Sequence, residues 1–209
     1  PASSAAPAYT VIPALEESGS YTDSLGNVYE YSYRIPAICS AVSFSDVSPL
    51  NSTIYEELMQ TVSSERNSMD SGVSLTCAVL DYESYVNGSV ISIVCTAEMP
   101  NDFVSYWVYN FDTASGQEFT PANFAAAAGI TEDALYALAS AACGNAFTET
   151  YGQLPHDSFY KEQYAKTIDS ENLVAEAMFF YDENGTLSVA APVYSLAGAS
   201  FYYRELPIV

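Results

Sequence analysis

Residues 73–97 read VSLTCAVLDYESYVNGSVISIVCTA, and this stretch decides the fold. Apolar side chains recur at every second position near its start and again near its end, which predicts strands over 73–81 and 89–97. Alternation of this kind gives each strand one apolar face, and a hairpin buries both faces on the same core. The stretch therefore predicts an antiparallel sheet.

The connection between these two strands fixes their register. Burying both apolar sets together requires a three- or five-residue loop around Val86, because a two-residue turn would shift the register by one residue. Gly88 is then expected at positive φ. The same register places Cys77 and Cys95 on one face, where the sequence allows either a disulfide or two buried free thiols.

Similar patterns continue on both sides of this hairpin. Alternating residues predict strands over 28–35, 103–112, 173–181, 186–191 and 200–206. Apolar residues at three- and four-residue spacing predict helices over 49–67, 121–127, 131–148 and 158–166. We expect an α+β fold, with antiparallel strands packed against a few helices as a single domain over 28–209. Residues 1–27 are rich in Ala, Ser, Pro and Gly and are predicted to be a flexible tether.

Two of these helices have recognisable buried stripes and caps. The stripe of the first consists of Ile54, Leu58 and Val62. The stripe of the longest consists of Leu135, Leu138, Ala142 and Ala146, with Cys143 beside it. The candidate N-terminal caps are a capping box from Thr53 to Glu56, Asn51 as an alternative, and Thr131 for the longest helix.

The charge balance restricts the partners. The 209 residues include 26 acidic and 5 basic residues, which gives a net charge of -21. A surface of this sign repels phosphate, so we predict no binding to nucleic acid. It attracts a cationic partner and raises the association rate. The alternative is that the acidity serves only solubility.

Few residues are suited to catalysis. His156 is the only histidine, and it follows a polar loop that lacks the G-x-S-x-G motif of a nucleophile elbow. A single histidine rules out a histidine-rich metal site, and no EF-hand or phosphate-binding glycine loop occurs. We therefore predict a protein that is not an enzyme and has no catalytic, cofactor-binding or metal site.

Paired carboxylates are the alternative route to catalysis. The candidate pairs are Glu56-Glu57, Asp81 with Glu83, and Asp182-Glu183. Each pair is interpreted first as solvated surface, and Asp182-Glu183 lacks the further ligands of a calcium site. A glycoside hydrolase needs two carboxyls held about 5 to 9.5 Å apart. A carboxylate-based hydrolase therefore stays among the hypotheses.

Trp107 is the only tryptophan and the candidate anchor for a partner. It lies in the predicted strand over 103–112, which has aromatic residues on both faces, so one face is a candidate binding surface. The alternative is that a helix covers Trp107.

The four cysteines are Cys39, Cys77, Cys95 and Cys143. Their spacing matches no zinc site. An even number of cysteines fits an oxidising compartment, and no apolar run approaches the roughly 18 residues that span a bilayer.

Five short stretches, in order, carry a resemblance to a known family. They are YSYRIP at 31–36, NSTI at 51–54, YNFDTASGQEF at 109–119, FFYDENG at 179–185 and REL at 204–206. In these features the chain resembles the extracellular domain of the RsiV-like anti-sigma factors, which sense lysozyme. The same domain precedes the catalytic part of some peptidoglycan deacetylases, and many stand-alone members are uncharacterised lipoproteins. The family commonly has a Gly-Gly-Ala-His loop where this chain reads Glu98-Met99-Pro100-Asn101-Asp102.

The resemblance implies a binding role at the bacterial cell envelope. We expect an extracellular, membrane-anchored domain whose partner is a cationic, lysozyme-like protein. The first alternative is a wall-associated lipoprotein module that binds peptidoglycan or another glycan through Tyr and Trp.

Overall fold

The computed structural model describes residues 9–41, 44–99, 103–197 and 200–208. Its elements confirm the predicted α+β class. A six-stranded sheet has the order β1-β2-β3-β4-β5-β6, and a three-stranded sheet has the order β7-β8-β9. The chain divides into two compact units. No helix in the described ranges is long and apolar enough to cross a membrane.

The first unit contains the described residues of Pro1–Ser84, Ile93–Ser105 and Phe111–Glu118. Strand β1 (Tyr9–Thr22) pairs antiparallel with β2 (Val28–Ser40) along its whole length. Helix α1 (Phe44–Asp70) packs against β2. The core includes Tyr33, Ile35, Ile54, Leu58 and Val62, all fully buried. The predicted stripe of this helix is thereby confirmed.

The prediction of a flexible tether over 1–27 is wrong for residues 9–22, which form β1. The sequence looks like a linker because the exposed side of the strand carries mostly small and polar residues, with Ile12 as the exception. The other side carries Val11, Leu15 and Tyr21, which are half-buried and have exposed residues on either side in the sequence. Pairing with β2 supplies the order that composition does not reveal.

Helix α1 begins at Phe44, earlier than the predicted start at 49. Asn51 and Thr53 therefore lie inside the helix, and neither caps it. Pro49 is also inside it. The helix continues to Asp70, three residues beyond the predicted end at 67, and Gly72 has a φ of 71° just beyond its last turn.

The central strands correct the predicted hairpin. Strands β3 (Val79–Asn87) and β4 (Val90–Glu98) are joined by the two-residue turn 88–89. The positive φ of Gly88, 61°, is confirmed. A longer loop is unnecessary because β4 is buried on both faces over 90–95, so its register is not fixed by one apolar face. Strand β3 starts after Cys77, and β2 pairs with it in parallel over two residues.

The sheet continues into β5 (Val104–Asp112) and β6 (Gln117–Glu118), joined by a turn that ends at Gly116. Met99 donates its backbone N–H to the Phe103 carbonyl at 2.8 Å. The departure from the family loop at 98–102 falls largely on residues 100–102, which lie outside the described residues.

The second unit contains Tyr85–Ser92, Tyr106–Asn110 and the described part of Phe119–Val209. Its helices are α2 (Pro121–Ala127), α3 (Glu132–Tyr151), α4 (Ser158–Thr167) and α5 (Ser170–Glu176). Its three-stranded antiparallel sheet consists of β7 (Met178–Tyr181), β8 (Leu187–Tyr194) and β9 (Phe201–Pro207). The helices and β8 enclose a core that includes Leu135, Phe147, Leu173, Phe179 and Val189.

One prediction in this unit is wrong, and a second is wrong in part. The predicted strand over 173–181 is a helix up to Glu176, because Asp169 caps α5 by accepting a 3.0 Å hydrogen bond from the Asn172 N–H. In α3 Leu135 and Ala146 are buried as predicted, but Ala139, Cys143 and Phe147 complete the stripe in place of Leu138 and Ala142. Leu138 is 37% exposed. The cap at Thr131 and the burial of Cys143 are confirmed. Residues Asp182–Gly185 form a turn between β7 and β8.

Candidate binding surface

The first unit has a groove beside the N-terminal half of α1. The lining residues come from β1, β2 and α1, and they are Ile12, Ala14, Ala37, Ile38, Cys39, Ser48, Asn51, Ser52, Tyr55 and Glu56. The volume is about 410 Å³, within the range of about 300–1,000 Å³ that is typical of ligand pockets. Ile12 is 46% exposed and Tyr55 is 42% exposed. The groove therefore presents apolar surface to solvent, which is characteristic of binding sites.

One polar contact sets the position of α1 beside β2 at this groove. The Asn51 side-chain oxygen accepts a hydrogen bond from the Ile38 N–H, and Asn51 Nδ2 donates to the Ile38 carbonyl, each at 2.8 Å. Strand β2 pairs with β3 at only two positions, both earlier in the strand. Asn51 thus takes the place of a neighbouring strand. Because the buried stripe of α1 faces the core, Tyr55 and Glu56 remain exposed on the groove side.

The charge of the first unit is almost entirely negative. Its two cations are Arg34 and Arg66, and carboxylates hold both. Arg34 Nη1 lies 2.8 Å from Asp81 Oδ1, and Arg66 pairs with Glu17. The Glu56 side chain makes no hydrogen bond or ion pair with the described residues. The groove therefore has a carboxylate in its lining and no cation.

The second unit has a concavity between α3 and α5. Its lining residues are Asp133, Tyr136, Ala137, Ser140, Ser170, Glu171 and Val174, around a volume of about 680 Å³. Val174 is 60% exposed. The Ser140 hydroxyl donates to the Ile168 carbonyl at 2.9 Å and so joins α3 to the end of α4.

Trp107 lies on β5 and is half-buried. Its neighbour Tyr106 belongs to an aromatic cluster in the second unit, with ring centroids 5.8 Å from Tyr203. Phe201 meets the Tyr203 ring edge-on at 5.5 Å and lies 5.6 Å from Tyr194. The Tyr203 hydroxyl donates to Glu176 at 2.7 Å, and burial together with this carboxylate raises its pKa. That Trp107 anchors a partner stays a prediction.

The residues considered for catalysis make separate local contacts. His156 is exposed, stacks on Tyr160 at 4.2 Å and lies 3.2 Å from the Gly152 carbonyl oxygen. Asp182 closes its own turn by accepting hydrogen bonds from the Asn184 and Thr186 N–H groups at 2.8 and 2.9 Å. Among the described residues no three His, Cys, Asp or Glu side chains group together to hold a metal ion.

The four cysteines are free thiols in the structure. Cys77 and Cys95, the pair considered for a disulfide, are both buried, and the Cys77 thiol donates to the Val79 carbonyl at 3.2 Å. Burial raises the pKa of Cys77 to about 11 and that of Cys143 to about 11. Cys39 alone is exposed, and it lines the groove. Reaction with a thiol reagent is therefore expected at Cys39 first.

Sequence reasoning missed the groove because one of its walls, which contains Ile12 and Ala14, belongs to the segment interpreted as a tether. The alternation of apolar residues in YTVIPAL, residues 9–15, is the signal that reveals β1. The break in pairing register between Pro13 and Leu15 falls inside this motif and interrupts the alternation. Ala14, at this break, lines the groove.

Comparisons with known proteins found similarity to solved structures only. No family model matches the chain, and no curated protein matches it. A crystal structure of a DUF3298 family member from Bacteroides fragilis NCTC 9343 is similar over 96% of this chain and 90% of that chain, with 10% identity and a TM-score of 0.44. DUF3298 is the RsiV-like domain family. A likeness at this level assigns no function to the chain.

Proposed function

We propose that this protein is a non-enzymatic, extracellular binding domain of the bacterial cell envelope that recognises a cationic, lysozyme-like protein. The observation that carries the proposal is the charge of the first unit, where both cations are held by carboxylates. Glu56 lies in the lining of the apolar groove of this unit and is exposed to solvent. The motifs that resemble the RsiV-like family supply the cellular setting.

The physical basis is long-range attraction followed by short-range contact. A net charge of -21 creates a potential that steers a cationic protein and raises its association rate. Steering alone gives no specificity, so the complex needs desolvated apolar contacts as well. The exposed apolar lining of the groove offers such contacts.

The test is a calorimetric titration with lysozyme at about 50 mM and about 300 mM salt, where the Debye lengths are about 14 Å and about 6 Å. We expect saturable one-to-one binding that weakens with salt and persists at the higher concentration. An unrelated acidic protein of similar net charge is the control for non-specific attraction. Binding equal to that of the control, or complete loss of binding at about 300 mM salt, would reject recognition of a lysozyme-like protein.

The second candidate function is binding of peptidoglycan or another glycan. It is favoured by the aromatic cluster of Tyr106, Tyr194, Phe201 and Tyr203, because sugar rings pack on aromatic faces. Titration with soluble muropeptides is expected to quench Trp107 fluorescence with little dependence on salt. An unchanged fluorescence spectrum at saturating muropeptide, together with no heat of binding, would reject this function.

A further inference from the structure

We infer that the groove between α1 and the β1–β2 pair is the docking site for a basic, apolar segment of a partner protein. An aliphatic side chain of that segment lies against Ile12 and Tyr55, and an adjacent lysine or arginine pairs with Glu56. This inference rests on the proposed function, since the segment belongs to the cationic partner. It adds to that function the surface and the chemistry of the contact.

Charge and apolar exposure together select this occupant. Glu56 is exposed and has no internal partner among the described residues, so a cation from outside meets no competing arginine or lysine in the lining. Ile12 and Tyr55 keep 46% and 42% of their surfaces in contact with water, and covering them is favourable. A segment that is only basic leaves Ile12 and Tyr55 exposed, and a segment that is only apolar leaves Glu56 without a partner.

The same charge argues against a second copy of the chain. Each copy carries a net charge of -21, and two such surfaces repel one another. Nucleic acid and anionic lipid are disfavoured for the same reason. A cationic segment is the occupant that gains from both the field and the apolar lining.

Cys39 provides a readout inside the groove. It is the exposed thiol of the chain, and it shares the groove lining with Ile12 and Glu56. Under reducing conditions its alkylation rate is measured with and without a decapeptide of alternating lysine and valine. At a peptide concentration of about ten times Kd, about nine-tenths of the protein is occupied, so labelling is expected to slow about tenfold. The control peptide has glutamate in place of lysine and is expected to give no protection.

Two groove variants and two matched controls test the contacts. Ile12→Ser is expected to weaken peptide binding about 3- to 10-fold through lost apolar contact. Glu56→Gln is expected to weaken it about 2- to 5-fold through one exposed ion pair. Val174→Ser and Glu171→Gln make the same changes in the concavity of the second unit and are expected to leave binding unchanged. Thermal unfolding of all four variants checks that each is folded.

The outcomes separate this inference from the proposed function. If lysozyme binds in the calorimeter while neither lysozyme nor the lysine–valine peptide slows Cys39 labelling, the proposed function stands and the groove is overturned as the docking site. If lysozyme fails to bind but the peptide protects Cys39 and Ile12→Ser weakens it, the groove stands and a lysozyme-like partner is overturned. Protection that rises with protein concentration alone, with dimers in sedimentation, would overturn the inference in favour of a second copy.

Discussion

Asn51 on α1 and Ile38 on β2 exchange two hydrogen bonds of 2.8 Å, one to the backbone N–H and one to the backbone carbonyl. A single side chain thereby satisfies both polar groups of a strand residue that is 1% exposed. Leaving a buried donor and acceptor unpaired costs more than the net gain from making the bonds. The contact therefore fixes α1 against β2 at the groove and also satisfies the backbone of β2.

Replacement of Asn51 tests this relationship. Asn51→Ala is expected to lower the free energy of unfolding by about 1–3 kcal/mol, because the Ile38 backbone groups lose their partners. The melting temperature is expected to fall by about 2–12 °C, measured by circular dichroism. Ser52→Ala, at the exposed neighbouring position, is the control and is expected to change stability by no more than about 0.5 kcal/mol. Equal stability of the two variants would contradict the assignment.

A buried polar network in the second unit gives the next prediction. The Ser92 hydroxyl donates to Asn110 Oδ1 at 2.7 Å and accepts from the Tyr181 N–H at 3.0 Å, while Asn110 Nδ2 donates to the Phe179 carbonyl at 2.8 Å. Ser92→Ala and Asn110→Ala are each expected to cost about 1–3 kcal/mol. In urea unfolding of the double variant, a coupling energy of about 0.5–3 kcal/mol is expected, since the two side chains share one network. Strictly additive losses would show that they act independently.

The buried stripe of α3 can be tested by two truncations on the same helix. Phe147 is fully buried and packs edge-on against Tyr151, Tyr160 and Tyr164. Phe147→Ala is expected to cost about 3–5 kcal/mol because it leaves a cavity. Leu138→Ala, at a position 37% exposed, is expected to cost much less. Urea unfolding of both variants measures the difference, and a larger loss for Leu138→Ala would place the core on the stripe that the sequence predicts.

This contrast shows what sequence periodicity can locate. The stripe of Ile54, Leu58 and Val62 is predictable because every leucine, isoleucine and valine over 50–67 falls on one four-residue repeat. Helix α3 is rich in alanine, so several faces have similar apolarity, and Leu138 is as strong a candidate as Phe147 on sequence alone. The packing partners that decide between these faces lie far away in the sequence.

The groove was less predictable than the fold for a related reason. Its strand β1 is ordered by pairing with β2, and strand formation depends on such neighbours more than on intrinsic preference. The contact of Asn51 with Ile38 replaces a helix cap that the local sequence predicts equally well. Trp107 was predictable as a candidate because a lone tryptophan is conspicuous, whereas exposed Ile12 carries no local signal of function.

Asp23 provides a prediction for stability as a function of pH. Its carboxylate is buried and accepts hydrogen bonds from the Asn27 side chain at 2.9 Å, from the N–H groups of Asn27 and Leu25, and from the Ser74 hydroxyl at 2.8 Å. These donors, with the Asn27 side chain first, hold the pKa of Asp23 far below its ordinary value. A lowered pKa in the folded state stabilises the fold above the unfolded-state pKa of about 3.9, and this stabilisation is lost as the pH falls below it.

Asp23→Asn removes this titration and, at neutral pH, is expected to be less stable than the wild type. The difference between the two free energies of unfolding is expected to be constant above about pH 5 and to shrink steadily below about pH 4. Urea unfolding at low protein concentration measures it, because the net charge approaches zero near the isoelectric pH of about 4.1 and favours precipitation. Ser74→Ala, which removes one donor, is expected to show the same trend with a smaller amplitude. A difference that does not change between pH 7 and pH 3 would mean that Asp23 stabilises the loop by its shape and not by its charge.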